Sequence, residues 1–132
     1  MEYLEKWIQN LLEQPSLDID QSYKVKGECK KHLGPRLEYA TIDITVEPAS
    51  SFSVEISQNL FSLNHASAFI ESAVYGILDV IMCANIIPFK NVKIVIRKID
   101  IDEIDSNKTA FRKAGRDAGW KIIELINKKY SK

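Results

Sequence analysis

In three runs between Tyr23 and Ile56 apolar residues return at alternate positions, and this period constrains the fold more than any other feature of the chain. Tyr23, Val25 and Cys29 alternate with Lys24, Lys26 and Lys30. Ala40, Ile42, Ile44 and Val46 alternate with Thr41, Asp43, Thr45 and Glu47, and Phe52, Val54 and Ile56 alternate with Ser53 and Glu55. A backbone that sends successive side chains to opposite faces is a strand, so each run predicts a strand with one face on a core and one toward water. The stretch "HLGPRLEY" reads as the loop between the first two strands, and Pro48, Ser50 and Ser51 read as the turn before the third.

From Asn64 the period changes. Ala66, Phe69, Ile70, Ala73, Ile77, Val80 and Ile81 follow a helical repeat that Asn64 can cap and that Asn85 and Pro88 end. "NVKIVIRKI" then predicts a strand with Val92, Ile94 and Ile96 on one face and Lys93, Val95 and Arg97 on the other. A final helix, capped by Asp105 or Ser106, carries Phe111, Ala114, Ala118, Ile122 and Leu125 as its buried stripe. Gly115 and Gly119 lie inside that helix, where each costs about 0.5–1 kcal/mol relative to alanine. With Ala114 and Ala118 they form a small-residue flank on which another backbone can lie close. Ahead of the first strand, Leu4, Trp7, Ile8, Leu11 and Leu12 share one helical stripe closed by Pro15 and Ser16. A helix this short is marginal alone in water, so residues 1–15 predict an amphipathic helix docked as a cap or as a dimer contact.

A chain of 132 residues is one domain with one core. Eighteen basic residues balance eighteen acidic ones, so attraction to nucleic acid or an anionic membrane requires a local patch. The N-terminal segment has charges among its apolar residues and is neither a leader nor a membrane span; a cytoplasmic protein is expected. Cys29 and Cys83 stand far apart with no second ligand near either, and read as reduced structural thiols. "DIDEID" lacks the glycine and distant glutamate of a calcium loop and reads as a solvated acidic loop. His32 and His65 have no nucleophile beside them. No metal, cofactor, small-molecule substrate or catalytic residue is therefore expected, and the chain is not read as an enzyme.

The order of elements and two separated motifs resemble the fourth domain of elongation factor G. The family's last helix opens V-D-S-S-E-x-A-F-K-x-A, which Ile104, Asp105, Ser106, Asn107, Lys108, Ala110, Phe111, Arg112 and Ala114 follow. Its hairpin motif is echoed by "GECKKHLGPRLEYA", with Gly27, Gly34, Arg36 and Tyr39 in the family's places, and "IDITVEP" resembles the family's strand ending in E-P. The resemblance implies an α+β fold of the ribosomal protein S5 domain 2-like type. This is a two-layer α/β sandwich with a four-stranded sheet and two packed helices in the order β-β-β-α-β-α. It would span residues 22–130, with the N-terminal helix as an addition. A left-handed crossover between the third and fourth strands is likewise implied by the resemblance alone.

The resemblance also implies a functional end made of two loops, the part of the family's domain that reaches the decoding centre. Tip loop 1 corresponds to Gly34, Pro35, Arg36, Leu37, Glu38 and Tyr39, and tip loop 2 to Asp100, Asp102, Glu103 and Asp105. Here the family's loop glycines are replaced by Pro35, Leu37 and Ala40, its glutamine by Glu38 and its histidine by Asp102. Carboxylates at Glu38, Asp100, Asp102 and Glu103 would repel an RNA backbone. Lys24, Lys26, Lys30, Lys31 and Arg36 form the candidate phosphate contact, with no aromatic residue interleaved along the strand to stack bases.

The chain has no G-x-x-x-x-G-K-S/T phosphate loop and is read as a freestanding arm without a GTPase motor. Two functions are carried forward. One is a non-catalytic, translation-factor-derived module that binds the ribosome or structured RNA. The alternative is a protein-interaction or homodimerisation domain that keeps the fold without RNA binding.

Overall fold

The computed structural model describes residues 2–10, 19, 21–33, 36–57, 66–83, 91–102 and 106–130. The alternating runs form strands β1 (Tyr23–Leu33), β2 (Arg36–Pro48), β3 (Ser53–Ile56) and β4 (Val92–Asp100). The helical repeats form α1 (Glu2–Asn10), α2 (Ala66–Ile81) and α3 (Lys108–Tyr130). The strands make one sheet in the order β1-β2-β4-β3. β2 is antiparallel to both β1 and β4, while β3 is parallel to β4, so α2 links parallel neighbours. Asn64, Asn85 and Pro88, expected to bound α2, lie outside the described residues.

The sheet departs from the sequence expectation in two places. First, β1 and β2 pair without interruption from Tyr23↔Val46 to Leu33↔Arg36. Most of the stretch read as a loop, including Arg36, Leu37, Glu38 and Tyr39, is therefore strand. The alternation of β2 runs back through these residues, and ladder hydrogen bonds are available to them at no cost in core burial. Second, Ile44 pairs with Ile96 but Asp43 pairs with Lys98, leaving Arg97 as an extra residue. This β-bulge lets Arg97 and Lys98 both be exposed while Ile96 and Ile99 are both buried.

The core lies between the sheet and the pair α2 and α3. Ile42, Ile44, Ile94 and Ile96 from the sheet and Ile77, Phe111 and Ile122 from the helices are almost fully buried, and the Phe69 and Phe111 rings stack with centroids 4.8 Å apart. Leu125, expected in the α3 stripe, is 39% exposed, and Ile126 is buried in its stead. The steps Ala114, Ala118, Ile122 and Ile126 are four residues each, so the buried stripe follows the i+4 row rather than dropping back at Leu125.

Glycine sets the distance between these elements. A Cβ on Gly115 would collide with the backbone carbonyl oxygen of Ala73, and one on Gly76 with that of Arg112, so α2 and α3 cross backbone to backbone through reciprocal glycines. On its other side α3 rests on β1: a Cβ on Gly27 would strike the Ala114 carbonyl oxygen and come within 2.8 Å of the Ala118 Cβ. The small-residue flank predicted from Gly115 and Gly119 is thus a packing surface. Outside it, Asp79 of α2 accepts hydrogen bonds from Arg112 (2.8 and 2.9 Å) and Arg116 (3.0 Å) of α3. The Arg112 hydrogen bonds are the main cause holding the Asp79 carboxyl below the usual range.

Side chains occupy part of each free edge of the sheet. At β3 the Val54 N–H donates to Glu5 of α1 at 3.0 Å. At β1 the Glu28 N–H donates to Asp117 at 3.0 Å, and Lys121 donates to the Lys26 carbonyl at 2.7 Å. Asp117 and Lys121 are themselves paired at 3.0 Å. α1 also sends Leu4 into the same core as the rest of the domain, and the Tyr3 hydroxyl bonds to Tyr75 and Glu71 of α2. In its described part the helix is a cap on the β3 edge. The helix is described over Glu2–Asn10; the side chains of Trp7 and Ile8, and residues 11–15, expected to complete it, lie outside the described residues.

Gly115→Ala is expected to destabilise the domain by about 1–3 kcal/mol through over-packing. That exceeds the gain of about 0.4–1 kcal/mol from the same change in an uncrowded helix. Denaturant unfolding gives the sign directly. A second prediction concerns α1. The Tyr3 hydroxyl is pushed up to about 12, first by its hydrogen bond to Tyr75, then by desolvation and the Glu71 charge. Because the folded value is raised, the contact contributes fully below the unfolded value of about 10 and is lost as pH rises through about 12. Tyrosinate absorbance together with circular dichroism should show α1 loosening in that window, and Tyr3→Phe should remove the step.

Candidate nucleic-acid interface

The hairpin end of β1 and β2 and the segment after β4 meet at one end of the sheet, and one side chain fastens them. The Ser106 hydroxyl donates to the Tyr39 carbonyl and accepts from the Asp102 N–H, both at 2.8 Å. The Ser106 N–H returns to the Asp102 carbonyl at 2.9 Å. Ser106 therefore does not cap α3 as expected. That role falls to Asn107, whose side-chain oxygen accepts the Ala110 N–H at 2.7 Å.

Glu38 was expected among the carboxylates that repel RNA, and the structure corrects this. Its parity matches that of Ala40 and Ile42, so its side chain points to the helix layer. It is 7% exposed, with both oxygens held by Lys113 of α3 at 3.0 and 3.3 Å. Asp100 is also engaged, accepting the Thr41 hydroxyl at 2.9 Å and lying 3.8 Å from Lys98. Asp102 is exposed. Gly34, Pro35, Glu103 and Asp105 lie outside the described residues.

The opposite face of the sheet carries charges of both signs, with Glu28, Asp43, Glu47, Glu55 and Asp100 among its lysines and Arg97. Lys24, Lys26 and Lys30 are exposed along β1, and the bulge adds Arg97 and Lys98 from β4. Arg97 also donates to the Thr45 hydroxyl, which is how a threonine expected to face water is buried. Lys26 meets Glu28 only at 3.9 Å. Among the described residues, Lys24 and Lys30 have no carboxylate in ion-pair range. Lys31 and Arg36 pair in the ladder with Glu38 and Leu33, but their side chains lie outside the described residues.

An aromatic residue does interleave with these lysines. Lys30 and Tyr39 are cross-strand partners, and the Lys30 ammonium lies 5.7 Å from the Tyr39 ring centroid. A reading along one strand misses a neighbour supplied by the next. The bulge had a signal in the sequence: "IRKI" places Ile96 and Ile99 out of phase for a regular strand. Among the described residues no group of three or more His, Cys, Asp or Glu side chains could hold a metal ion, and no helix is long and apolar enough to cross a membrane.

Comparison with known families places this two-layer α/β domain, with its two segments fastened at one end of the sheet, among the translation-factor domains. More specifically, the family model for elongation factor G, domain IV, matches residues 16–125, and the chain belongs to that family. Helix α1 lies outside the matched residues. Among solved structures, the crystal structure of a protein from Thermus thermophilus is similar in fold, with a TM-score of 0.61 and 22% identity. The similarity covers 78% of this chain and 16% of that chain. Comparison with curated proteins finds no match.

Ser106→Ala removes both hydroxyl hydrogen bonds, each with a net contribution of about 0.5–1.5 kcal/mol. The expected outcome is a loss of about 1–3 kcal/mol in denaturant unfolding, with faster hydrogen exchange at the Asp102 amide and little change at Ala110, whose cap is Asn107.

Proposed function

We propose that this domain is a non-catalytic binding module of translation-factor descent that contacts structured RNA on the ribosome, and therefore works in the cytoplasm. The observation that carries the reading is Lys30 set over the Tyr39 ring at the end of the sheet that Ser106 fastens. A cation for phosphate and a ring face for a base are the two elements of sequence-tolerant RNA contact. Lys24, Lys26, Arg97 and Lys98 add cations along the same face, interspersed with Glu28 and Asp43.

The acidic residues weigh less against this reading than their number implies. Glu38 is neutralised by Lys113 on the far side of the sheet, and Asp100 is occupied by Thr41 and Lys98. Surface pairs such as Lys98–Asp100 contribute only about 0–1 kcal/mol, so an RNA phosphate can replace the carboxylate as the lysine's partner. Homodimerisation by strand pairing finds less support, because Glu5, Asp117 and Lys121 occupy edge groups that such pairing would use.

The test is binding of purified ribosomes and of a labelled structured RNA over a salt series. Tyr39→Ala should weaken binding by about 1–3 kcal/mol if a base stacks there. Lys30→Ala should weaken it across all RNA sequences and reduce the salt slope by about 1. Binding by both variants that equals the wild type would overturn the proposal.

A further inference from the structure

The guards on the β1 edge cover only part of it. The Glu28 N–H points at Asp117 and the Lys26 carbonyl at Lys121, so even-numbered residues of β1 direct their backbone groups away from β2. By the same parity the Lys24 N–H and C=O also face outward. Among the described residues nothing meets them, and Lys24 is exposed. Beside this stretch, between β1 and the later turns of α3, runs a groove lined by Lys24, Val25, Lys26, Lys121, Glu124 and Leu125. Its floor includes Leu125, one of the few large apolar residues exposed among the described residues. Its charged lining is three cations and one anion.

We propose that this groove receives an extended acidic segment of another protein, which adds to β1 as a fifth strand beside residues 22–26. An added strand would satisfy the outward N–H and C=O of Lys24. Its side chains would alternate: those toward the helix layer rest on Val25 and Leu125, and those toward the open face meet Lys24 and Lys26. The preferred partner therefore alternates acidic and apolar residues. Charge selects against a second copy of this chain, since edge-to-edge pairing of two β1 strands brings lysine rows together. The Asp117–Lys121 pair ends the added strand by occupying the next backbone groups.

The proposal is independent of the RNA reading, and Lys24 separates the two. Lys24→Ala removes the charge; Lys24→Pro removes the charge and the outward N–H, while leaving the β1–β2 ladder intact because that N–H does not enter it. The probe is a synthetic peptide of alternating glutamate and valine, with an alternating lysine and valine peptide as control, followed by NMR. The expected result is slowed exchange of the Lys24 amide and shifts confined to residues 22–26 and the Leu125 methyls, with the control inert. Lys24→Pro should bind about threefold to tenfold more weakly than Lys24→Ala, the loss of one backbone hydrogen bond, whereas RNA binding should fall equally in both. Equal peptide affinity of the two variants, binding of the control peptide, protection of the Lys24 amide by RNA alone, or protection accompanied by dimerisation in sedimentation would each overturn it.

Discussion

The contact on which the structure depends is the close approach of three backbones. α2 and α3 cross at Gly76 and Gly115, and α3 is seated on β1 at Gly27. These contacts leave no room for a side chain, so they fix where α3 lies over the hairpin. With α3 in that place, Lys113 reaches Glu38, Asp117 and Lys121 reach the β1 edge, and Ser106 just ahead of its first turn reaches the Tyr39 carbonyl. A shift of the helix by the thickness of a methyl group would move all of these together. The end of the sheet where Ser106 meets Tyr39 is thus positioned by the packing of α3 on α2 and β1.

Much of this was legible in sequence because burial imposes periodicity. The four strands, both long helices and the close-packed flank of α3 follow from the spacing of apolar and small residues, and the elongation factor G domain IV resemblance supplied the topology that spacing alone could not. What remained hidden depends on relations between elements. Glu38 looks like a loop carboxylate until the ladder shows it sharing a face with Ala40. Tyr39 looks isolated until Lys30 is paired across from it. Gly76 and Gly27 stand alone in their own segments, and only their neighbours in space explain them. The exposure of Leu125 likewise follows from which helical row β1 and α2 select.

The two edges of the sheet are managed differently. β3 is short, and α1, which lies outside the family match, gives it Glu5 and buries Leu4 beside it. β1 is long and relies on side chains of α3 together with its own lysines. The family's fold therefore comes here with a helix outside the family match on one edge and, among the described residues, an incompletely covered surface on the other. Coverage and binding capacity are complementary properties of an edge strand, since the same unpaired groups serve either aggregation or recognition.

The dependence of β1 on α3 also has a consequence for the order of synthesis. β1 and β2 leave the ribosome early and can pair at once, whereas Asp117 and Lys121 belong to the last element in chain order. Until α3 is made, the Glu28 N–H and the Lys26 carbonyl lack their α3 partners and Gly27 lacks the helix it docks against. During that interval the charges of Lys24, Lys26 and Lys30, on one face of the strand, are already in place and would oppose pairing registers that set lysine against lysine. The strand's own lysines thus precede, in chain order, the α3 side chains that guard the same edge in the finished domain.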